Sequence, residues 1–309
     1  MGVLVTGGCG FIGHHFVRAW REAHPGGDLV VLDKLTYAAD PDRIEGLAHL
    51  VVGDVADAAA VGAAFDRLGR VDAIVHLAAE SHVDRSIAEP APFVRTNVLG
   101  TQTLLSVAQA RGVGLFLHVS TDEVYGSIAV GSPPAVESSP FAPRSPYSAS
   151  KVGGEALVAA AFHTYALPTV IARPTNTFGT GQFPEKLLPV LVRAALSGAP
   201  LPLYGDGLHE RDWLHVSELV SALLLLLDRA EPGTVWNVAG TGPRSNRSVA
   251  EAVCAALNLP HSRIGSVADR PGHDRRYHID GSRLRRLGFS AVRGIEGELP
   301  GLIAEARPA

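Results

Sequence analysis

The first half of the chain alternates short apolar runs with longer amphipathic stretches. The runs are predicted to be strands and the stretches helices, because each shows the corresponding hydrophobic period. Several runs are almost wholly apolar, as expected of a parallel sheet with both faces covered. The predicted strands are residues 3–6, 29–33, 49–53, 73–78, 115–120 and 169–173, and the predicted helices are 11–23, 58–68, 92–111 and 148–165.

Strands that alternate with helices indicate right-handed βαβ units. We therefore predict a Rossmann-type, doubly wound α/β fold with a parallel sheet. After residue 173 the pattern changes, because Gly and Pro become frequent and the elements shorten. This predicts a first domain over 1–173 and a smaller substrate-binding region over 174–309, interleaved with the last strands of the sheet. The apolar run at 219–227 is far below the ~20 residues that cross a bilayer, and predicts a buried helix.

Composition narrows the classes of partner. With 46% hydrophobic and 19% charged residues, the 309-residue chain is predicted to be globular. A net charge of −4 offers no general attraction to nucleic acid or to an anionic membrane, so neither is an expected partner. Cys9 and Cys254 lack metal-ligand spacing and are expected to be free thiols. The N-terminal sequence GVLVTGG shows no secretory signal pattern, which favours a cytoplasmic location.

A glycine-rich turn follows the first predicted strand. Glycines at 7, 10 and 13 would let the backbone approach a pyrophosphate at the start of the next helix. Asp33 lies 20 residues after Gly13, where a carboxylate can accept hydrogen bonds from a ribose and would repel a 2′-phosphate. NAD is therefore favoured over NADP, although the adjacent Lys34 weakens that preference. Asp54 is placed to meet the adenine end. The alternative is a glycine turn that binds nothing.

Two further motifs carry acid–base chemistry. Tyr147 and Lys151 have the i, i+4 spacing that puts both on one helix face, where an ammonium would lower the pKa of the phenol. Thr121, Asp122 and Glu123 directly follow a predicted strand, so they emerge at the sheet edge where ligands bind. Two adjacent acids in different environments can divide acid and base roles. The alternative is an acidic turn on a solvated loop.

After the glycine turn, YSASK at 147–151 resembles the extended short-chain dehydrogenase/reductase superfamily. STDEVYG at 120–126 narrows the resemblance to the dTDP-glucose 4,6-dehydratases. Related epimerases and decarboxylases share the turn and the YxxxK motif, but usually have Ser and no Asp-Glu pair there. Further segments agree, and they extend the resemblance to about Asp280: LDKLTYA at 32–38, HLAAESHVDRSI at 76–87, FPEKLLP at 183–189, RDWLHV at 211–216 and ADRPGHDRRYHID at 268–280.

The resemblance implies a hydro-lyase with NAD as cofactor. A dTDP-hexose would be oxidised at C4, would lose water across C5 and C6, and would regain hydride at C6. Tyr147 would take the O4 proton, Lys151 would lower its pKa and hold the nicotinamide ribose, and Thr121 would bond near O4. Glu123 would remove the C5 proton. Asp122 would protonate the departing hydroxyl, so it must start protonated.

The resemblance also implies the binding residues, whereas no metal is expected because the sequence shows no cluster of metal ligands. The cofactor would be held by Gly7, Gly10, Phe11, Ile12, Gly13, Asp33, Lys34, Asp54, Val55, Leu77, Ala78, Ala79, Tyr147 and Lys151. The substrate would be held by Ser81, His82, Asn176, Lys186, Leu187, Pro202, Tyr204, Arg211, Asn246, Arg270 and His273. A homodimer is implied, with helices 92–111 and 148–165 packing against their symmetry mates.

The chain departs from the resemblance at two places. Thr177, Phe178 and Thr180 replace Asn, Tyr and Pro of the usual SNNYGP run, and Arg173 adds a charge just before it. The C-terminal sequence GLIAEARPA lacks the usual aromatic ending. Because both places concern the sugar and nucleotide pocket, a UDP- or CDP-hexose dehydratase and a 4-epimerase stay open. A non-catalytic NAD-binding regulator is a remote alternative, since such proteins usually lose Tyr or Lys of YxxxK.

Overall fold

The computed structural model describes residues 1–307. The strands are β1 (Gly2–Thr6), β2 (Asp28–Asp33), β3 (His49–Val52), β4 (Ala73–His76), β5 (Leu115–Val119), β6 (Thr169–Pro174), β7 (Asn176–Phe178), β8 (Leu201–Tyr204), β9 (Glu210–His215), β10 (Thr234–Val238), β11 (Pro243–Ser245) and β12 (Ile264–Val267). The helices are α1 (Phe11–Ala23), α2 (Ala58–Leu68), α3 (Val83–Ala88), α4 (Ala91–Phe93), α5 (Thr101–Ala110), α6 (Pro146–Tyr165), α7 (Leu187–Ser197), α8 (Val216–Arg229), α9 (Asn246–Ala256), α10 (Ser282–Arg286) and α11 (Ile295–Ala306).

Seven parallel strands form the central sheet, in the order β10-β6-β5-β4-β1-β2-β3. The predicted fold class is confirmed, and all six predicted strands are present. Three of them end early, at Val52, His76 and Val119, because the chain there leaves the sheet to line a cleft. The strand order reverses at β1, and in such sheets ligands bind at the carboxyl ends beside that reversal.

Alternate residues of the strands face two separate cores. Val3 and Val5 of β1 pack on one face with α1 and α8, whereas Leu4 packs on the other with α2, α5 and α6. The apolar run at 219–227 lies in α8, with Leu219, Leu223 and Leu226 fully buried. The buried helix predicted there is confirmed. Among the described residues, no helix combines the length and apolarity needed to span a membrane.

The helix predicted over 92–111 is interrupted. Between α4 and α5 lies a π-helical segment, Val94–Gly100, in which the Thr101 hydroxyl donates to the carbonyl of Asn97 at 2.8 Å. The side chain of Asn97, which lies in this π-helical segment, forms hydrogen bonds with residues of two other segments. Its Nδ2 donates to Ser150 Oγ at 2.8 Å, and its Oδ1 accepts from the Glu80 backbone N–H at 2.9 Å. π-Helical turns of this kind often occur near functional sites.

The second half of the chain builds a smaller layer and returns once to the main sheet. Helices α7, α9 and α11 share a core with β8 and the aromatic pair Phe178 and Trp213. Strand β10 pairs with β6 in the central sheet. The boundary at 173/174 stays a prediction, and the last two residues of the predicted second region lie outside the described ones.

Candidate active site

The glycine turn lies at the carboxyl end of β1. Gly7 has φ +71°, and a Cβ there would lie 2.7 Å from the Ala78 nitrogen. A Cβ on Gly13 would fall on the carbonyl oxygen of Gly7. Helix α1 begins after Gly10 with no side-chain cap, so its first N–H groups stay available to an anion. The backbone therefore forms a cradle that fits a pyrophosphate.

Replacing Gly13 with Ala is expected to abolish retention of NAD, because the added methyl group would displace the Gly7 carbonyl and open the turn. The NAD content of the purified protein, measured after acid release, checks this. Gly26→Ala is the matched control, since a Cβ at Gly26 meets no atom within 4 Å. Normal NAD content in Gly13→Ala would contradict the assignment of the cradle.

The acidic residue at the end of β2 is fixed by backbone donors. Asp33 accepts from the N–H groups of Cys9 at 3.0 Å and Leu35 at 2.9 Å. Lys34 does not offer a free cation beside it. Its Nζ donates to Glu80 Oε1 at 2.9 Å and to Thr96 Oγ1 at 3.1 Å. Glu80 therefore offsets the charge of Lys34, and the effect of Lys34 on the preference for NAD stays a prediction.

A cleft of about 360 Å³ runs from the glycine turn to α6 and α7. Asp54 is outside its wall, since its carboxylate accepts from the Ala56 N–H at 2.8 Å and lies 3.5 Å from Arg95 Nε. The predicted residues that line the cleft are Gly7, Gly10, Phe11, Ile12, Gly13, Asp33, Lys34, Val55, Leu77, Ala78, Ala79, Ser81, Thr121, Glu123, Tyr147, Lys151, Asn176, Lys186 and Leu187.

Tyr147 and Lys151 lie in the first two turns of α6. The helix starts with a capping box between Ser145 and Ser148. Lys151 Nζ donates to the Val119 carbonyl at 2.8 Å, and burial lowers the pKa of this lysine to about 8. Burial, together with the charge of Glu123, raises the pKa of Tyr147, and only a hydrogen bond with Thr121 acts in the opposite direction. Lys151 is not among the groups that shift the pKa of Tyr147 here, so the lowering of that pKa by Lys151 stays a prediction.

The two acids after β5 differ in surroundings. Asp122 is 2% exposed, and its Oδ2 has no hydrogen-bond partner among the described residues. Burial, then the charges of Glu123 and Asp212, raise the pKa of Asp122 well above that of an ordinary aspartate. Burial also raises the pKa of Glu123, but Arg270, Arg211 and Lys186 counteract this. The expectation that Asp122 is protonated agrees with its surroundings.

The raised pKa of Asp122 predicts a change in stability with pH. Above about pH 4 the unfolded chain releases this proton, whereas the folded protein keeps it until its own higher pKa is reached. Wild type should therefore lose stability relative to Asp122→Asn by about 1.4 kcal/mol per pH unit in that window. Denaturant unfolding of both proteins at several pH values measures the difference. Parallel curves would contradict it. Glu123 titrates in both proteins, so its contribution to the difference in stability cancels while Asp122 is neutral.

Two residues beside Glu123 were missed by sequence reasoning. The Tyr277 hydroxyl donates to Asp274 Oδ2 at 2.8 Å and lies 3.4 Å from Glu123 Oε2. Arg211 stacks over the Tyr277 ring at 4.1 Å and donates to the Asp274 carbonyl at 2.9 Å. Both Tyr277 and Asp274 belong to the segment 268–280 of the resemblance, in which only Arg270 and His273 were predicted to be site residues.

Seven predicted substrate residues do not line the cleft, namely His82, Pro202, Tyr204, Arg211, Asn246, Arg270 and His273. Lys186 caps α7 and donates to the Ser81 carbonyl at 3.2 Å, and His82 caps α3. Tyr204 meets the His273 ring edge-on at 5.7 Å. Asn246 starts α9 with an unpartnered Oδ1, and Pro202 lies in β8 opposite Gly265. The positive charges of Arg270, Arg211 and Lys186 act on Glu123, so cations that suit an anionic ligand lie near this carboxylate.

Among the described residues, one group has side chains that could bind a metal and whose ligand atoms lie within 4.8 Å of one another: His209, Asp269 and His273. The two rings stack, with centroids 3.7 Å apart and planes 14° apart. A ring nitrogen binds a metal through a lone pair in the ring plane, so stacked rings cannot both face one ion. Instead His273 Nδ1 lies 2.6 Å from Asp269 Oδ1. We assign no metal to this group.

Arg173 lies away from the cleft, contrary to the expectation that it bears on the substrate pocket. Its guanidinium binds the Glu155 carboxylate through Nε at 3.0 Å and contacts the Tyr125 hydroxyl at 2.6 Å. Arg173 and Glu155 are 3% and 2% exposed. The charge is therefore part of a buried pair behind α6. Asn176 and Thr177 do line the cleft, whereas Phe178 is buried in the smaller core.

Comparison with known proteins agrees with this site. Residues 3–239 match the model of the NAD dependent epimerase/dehydratase family. The dTDP-glucose 4,6-dehydratase of Streptomyces antibioticus is 45% identical over 297 residues, which are 94% of this chain and 87% of that protein.

Solved structures show the same fold. DesIV, a dTDP-glucose 4,6-dehydratase from Streptomyces venezuelae solved with NAD bound, superposes with a TM-score of 0.93 at 42% identity, over 99% of this chain and 96% of that one. UDP-glucose 4-epimerase from Thermus thermophilus, in complex with NAD, gives 0.92 at 28% identity over 100% of both chains. The fold is thus shared by dehydratases and epimerases, and the side chains must distinguish them.

Proposed function

Because the chain belongs to the NAD dependent epimerase/dehydratase family, we propose that it is an NAD-dependent dTDP-glucose 4,6-dehydratase. It converts dTDP-glucose into dTDP-4-keto-6-deoxyglucose. The observation that carries this proposal is the pair of acids after β5. Asp122 and Glu123 lie beside the Tyr147–Lys151 helix, and burial raises the pKa of both acids, that of Asp122 well above its usual range. An oxidation alone needs no such pair, whereas elimination of water needs both an acid and a base.

The glycine cradle and Asp33 fit NAD. When bound, NAD supplies the acceptor and later the donor of hydride. The cradle would hold its pyrophosphate, Asp33 its adenosine ribose, and Val55, Leu77 and Ala78 its apolar surfaces. Lys151 is positioned to hold the second ribose, and its ammonium remains hydrogen-bonded to Val119.

The side chains of the cleft move the protons. Tyr147 takes the proton of the sugar O4, with Thr121 hydrogen-bonding beside it. Once C4 is a ketone, the C5 proton becomes acidic and Glu123 removes it. Arg211, Arg270 and Lys186 favour the ionised form of Glu123 that this step needs. Asp122 then donates its proton to the departing C6 hydroxyl, which leaves as water.

Cationic side chains beside the cleft suit the dTDP portion. Lys186, Arg211 and Arg270 are close enough to Glu123 to lower its pKa, so they surround the same space. Arg binds phosphate oxygens bidentately and Lys acts as a point charge. These local cations explain how a protein of net charge −4 can hold a dianion.

Mass spectrometry of dTDP-glucose incubated with protein and NAD tests the proposal. Loss of one water is the expected result. UDP-glucose and CDP-glucose are run in parallel, because Thr177, one of the positions that depart from the usual SNNYGP run, lines the cleft. Water loss only from UDP- or CDP-glucose would contradict the proposed substrate but would support the proposed reaction.

A 4-epimerase is the second candidate, favoured by the shared fold with the Thermus thermophilus enzyme. An epimerase would leave the mass unchanged and invert the configuration at C4, which NMR of the product detects. A non-catalytic regulator would leave the sugar unchanged altogether. Tyr147, Lys151 and Glu123 line one cleft, and Asp122 is buried next to Glu123 just outside its wall, which argues against that reading.

We further propose a cytoplasmic homodimer built on α5, α6 and the π-helical segment. Val94 and Leu99 are 54% and 47% exposed there, and Ala149, Ala156 and Ala160 form an exposed row on α6. Light scattering should give twice the chain mass, and Ala156→Glu should give a monomer because a charge would enter the interface. Glu89→Gln, outside this face, should remain dimeric. A monomeric wild type would exclude the homodimer.

A further inference from the structure

One carboxylate links α3 to the substrate region. Asp84, in the first turn of α3, accepts from the Tyr204 hydroxyl through Oδ2 at 3.0 Å. Its Oδ1 accepts from Arg270 Nη1 at 3.2 Å. Tyr204 ends β8, and Arg270 follows β12, the parallel partner of β8. Two expected nucleotide-binding side chains are thus held by a residue of the other half of the molecule.

Stability does not account for this arrangement. The side chains of Asp84 and Arg270 are 39% and 20% exposed, and ion pairs so accessible to water contribute little to folding stability. The pair instead fixes the orientation of the Arg270 guanidinium. Arg270 is held through Nη1 and lies 5.9 Å from the centroid of the Tyr204 ring. Within residues 1–307, its Nε and Nη2 donate no hydrogen bond, so one edge of the guanidinium is free for a ligand.

We propose that Asp84 is a positioning residue for the diphosphate of the nucleotide sugar, an inference that rests on the proposed function. It holds Arg270 so that the free guanidinium edge meets the diphosphate, and it holds Tyr204 beside the nucleoside. Asp84 itself does not touch the reacting atoms. Its loss should therefore weaken nucleotide binding without slowing the chemical steps.

Simple electrostatics predicts the opposite change in dTDP affinity on removal of Asp84. A carboxylate next to an anion site repels the anion, and this repulsion is stronger near a protein surface than in bulk water. If Asp84 acted only through its charge, its removal would tighten binding of dTDP. If it positions Arg270 and Tyr204, removal weakens binding. The direction of the change therefore decides between the two roles.

Titration calorimetry with dTDP and steady-state kinetics with dTDP-glucose form the test. Asp84→Ala should raise both the Kd for dTDP and the KM by about tenfold, the equivalent of one charge-assisted hydrogen bond, with kcat within about threefold of wild type. Asp84→Asn keeps an oxygen acceptor and should give an intermediate effect. Glu89→Gln, an exposed acid just after α3, should match wild type.

Tighter or unchanged dTDP binding in both Asp84 variants would overturn the inference, as would a fall in kcat at constant KM. Asp84→Asn is nearly isosteric, so it decides the question if Asp84→Ala does not fold. A wild-type protein that neither binds dTDP nor converts dTDP-glucose would instead contradict the proposed function. Normal conversion by wild type with no effect at Asp84 would contradict only the positioning role.

Discussion

The double variant Asp122→Asn/Glu123→Gln is expected to stop water loss from dTDP-glucose. Each general acid or base is typically worth about 10²–10⁴-fold, and this variant removes both. Tyr147, Lys151 and the glycine cradle remain, so oxidation at C4 should still occur. A single turnover should therefore show the absorbance of reduced NAD appearing and persisting, while mass spectrometry finds no dehydrated sugar.

The control is Glu22→Gln/Asp28→Asn, which removes two exposed acids where α1 ends and β2 begins, at the opposite edge of the sheet. It should dehydrate the sugar at the wild-type rate. Wild-type water loss by the Asp122/Glu123 variant would refute the assignment of these two residues. Loss of C4 oxidation as well, with normal NAD content, would mean that the pair also places the sugar.

Replacing Arg173 with Met is expected to cost about 3–5 kcal/mol of folding free energy. The substitution leaves the Glu155 carboxylate buried without its partner, and an uncompensated buried charge is among the most destabilising changes. Tyr125 would lose a hydrogen bond at the same time. Urea unfolding, followed by circular dichroism, measures the difference.

The paired variant Arg173→Met/Glu155→Leu removes both charges, so it distinguishes the cost of leaving one buried charge unpaired from the cost of losing the ion pair itself. Replacing a buried ion pair by apolar residues is often close to neutral, so this variant should recover most of the lost stability. Arg70→Met is the control at a pair whose arginine is 90% exposed, and should change stability by less than about 1 kcal/mol. A small effect of Arg173→Met would mean that water reaches Glu155.

The local elements of the site were predictable because their signals are local. Gly7 and Gly13 are required by backbone geometry, and the predicted strands end beside the cleft because an apolar run stops where the chain leaves the sheet. Tyr147 and Lys151 share a helix face at i, i+4 spacing. The break in the helix 92–111 was not predictable, since the π-helical turn depends on contacts of Asn97 with residues 17 and 53 positions away.

By itself, the sequence determined the parallel fold, the cofactor cradle and the identity of the acids, because periodicity and motif spacing act over a few residues. Only the tertiary structure decided the raised pKa of Asp122, the pairing of Lys34, the burial of Arg173 and the position of Tyr277 beside Glu123. Each of these depends on burial and on partners distant in sequence. Desolvation and charge neighbours arise only when the chain has folded, and they set which group carries a proton.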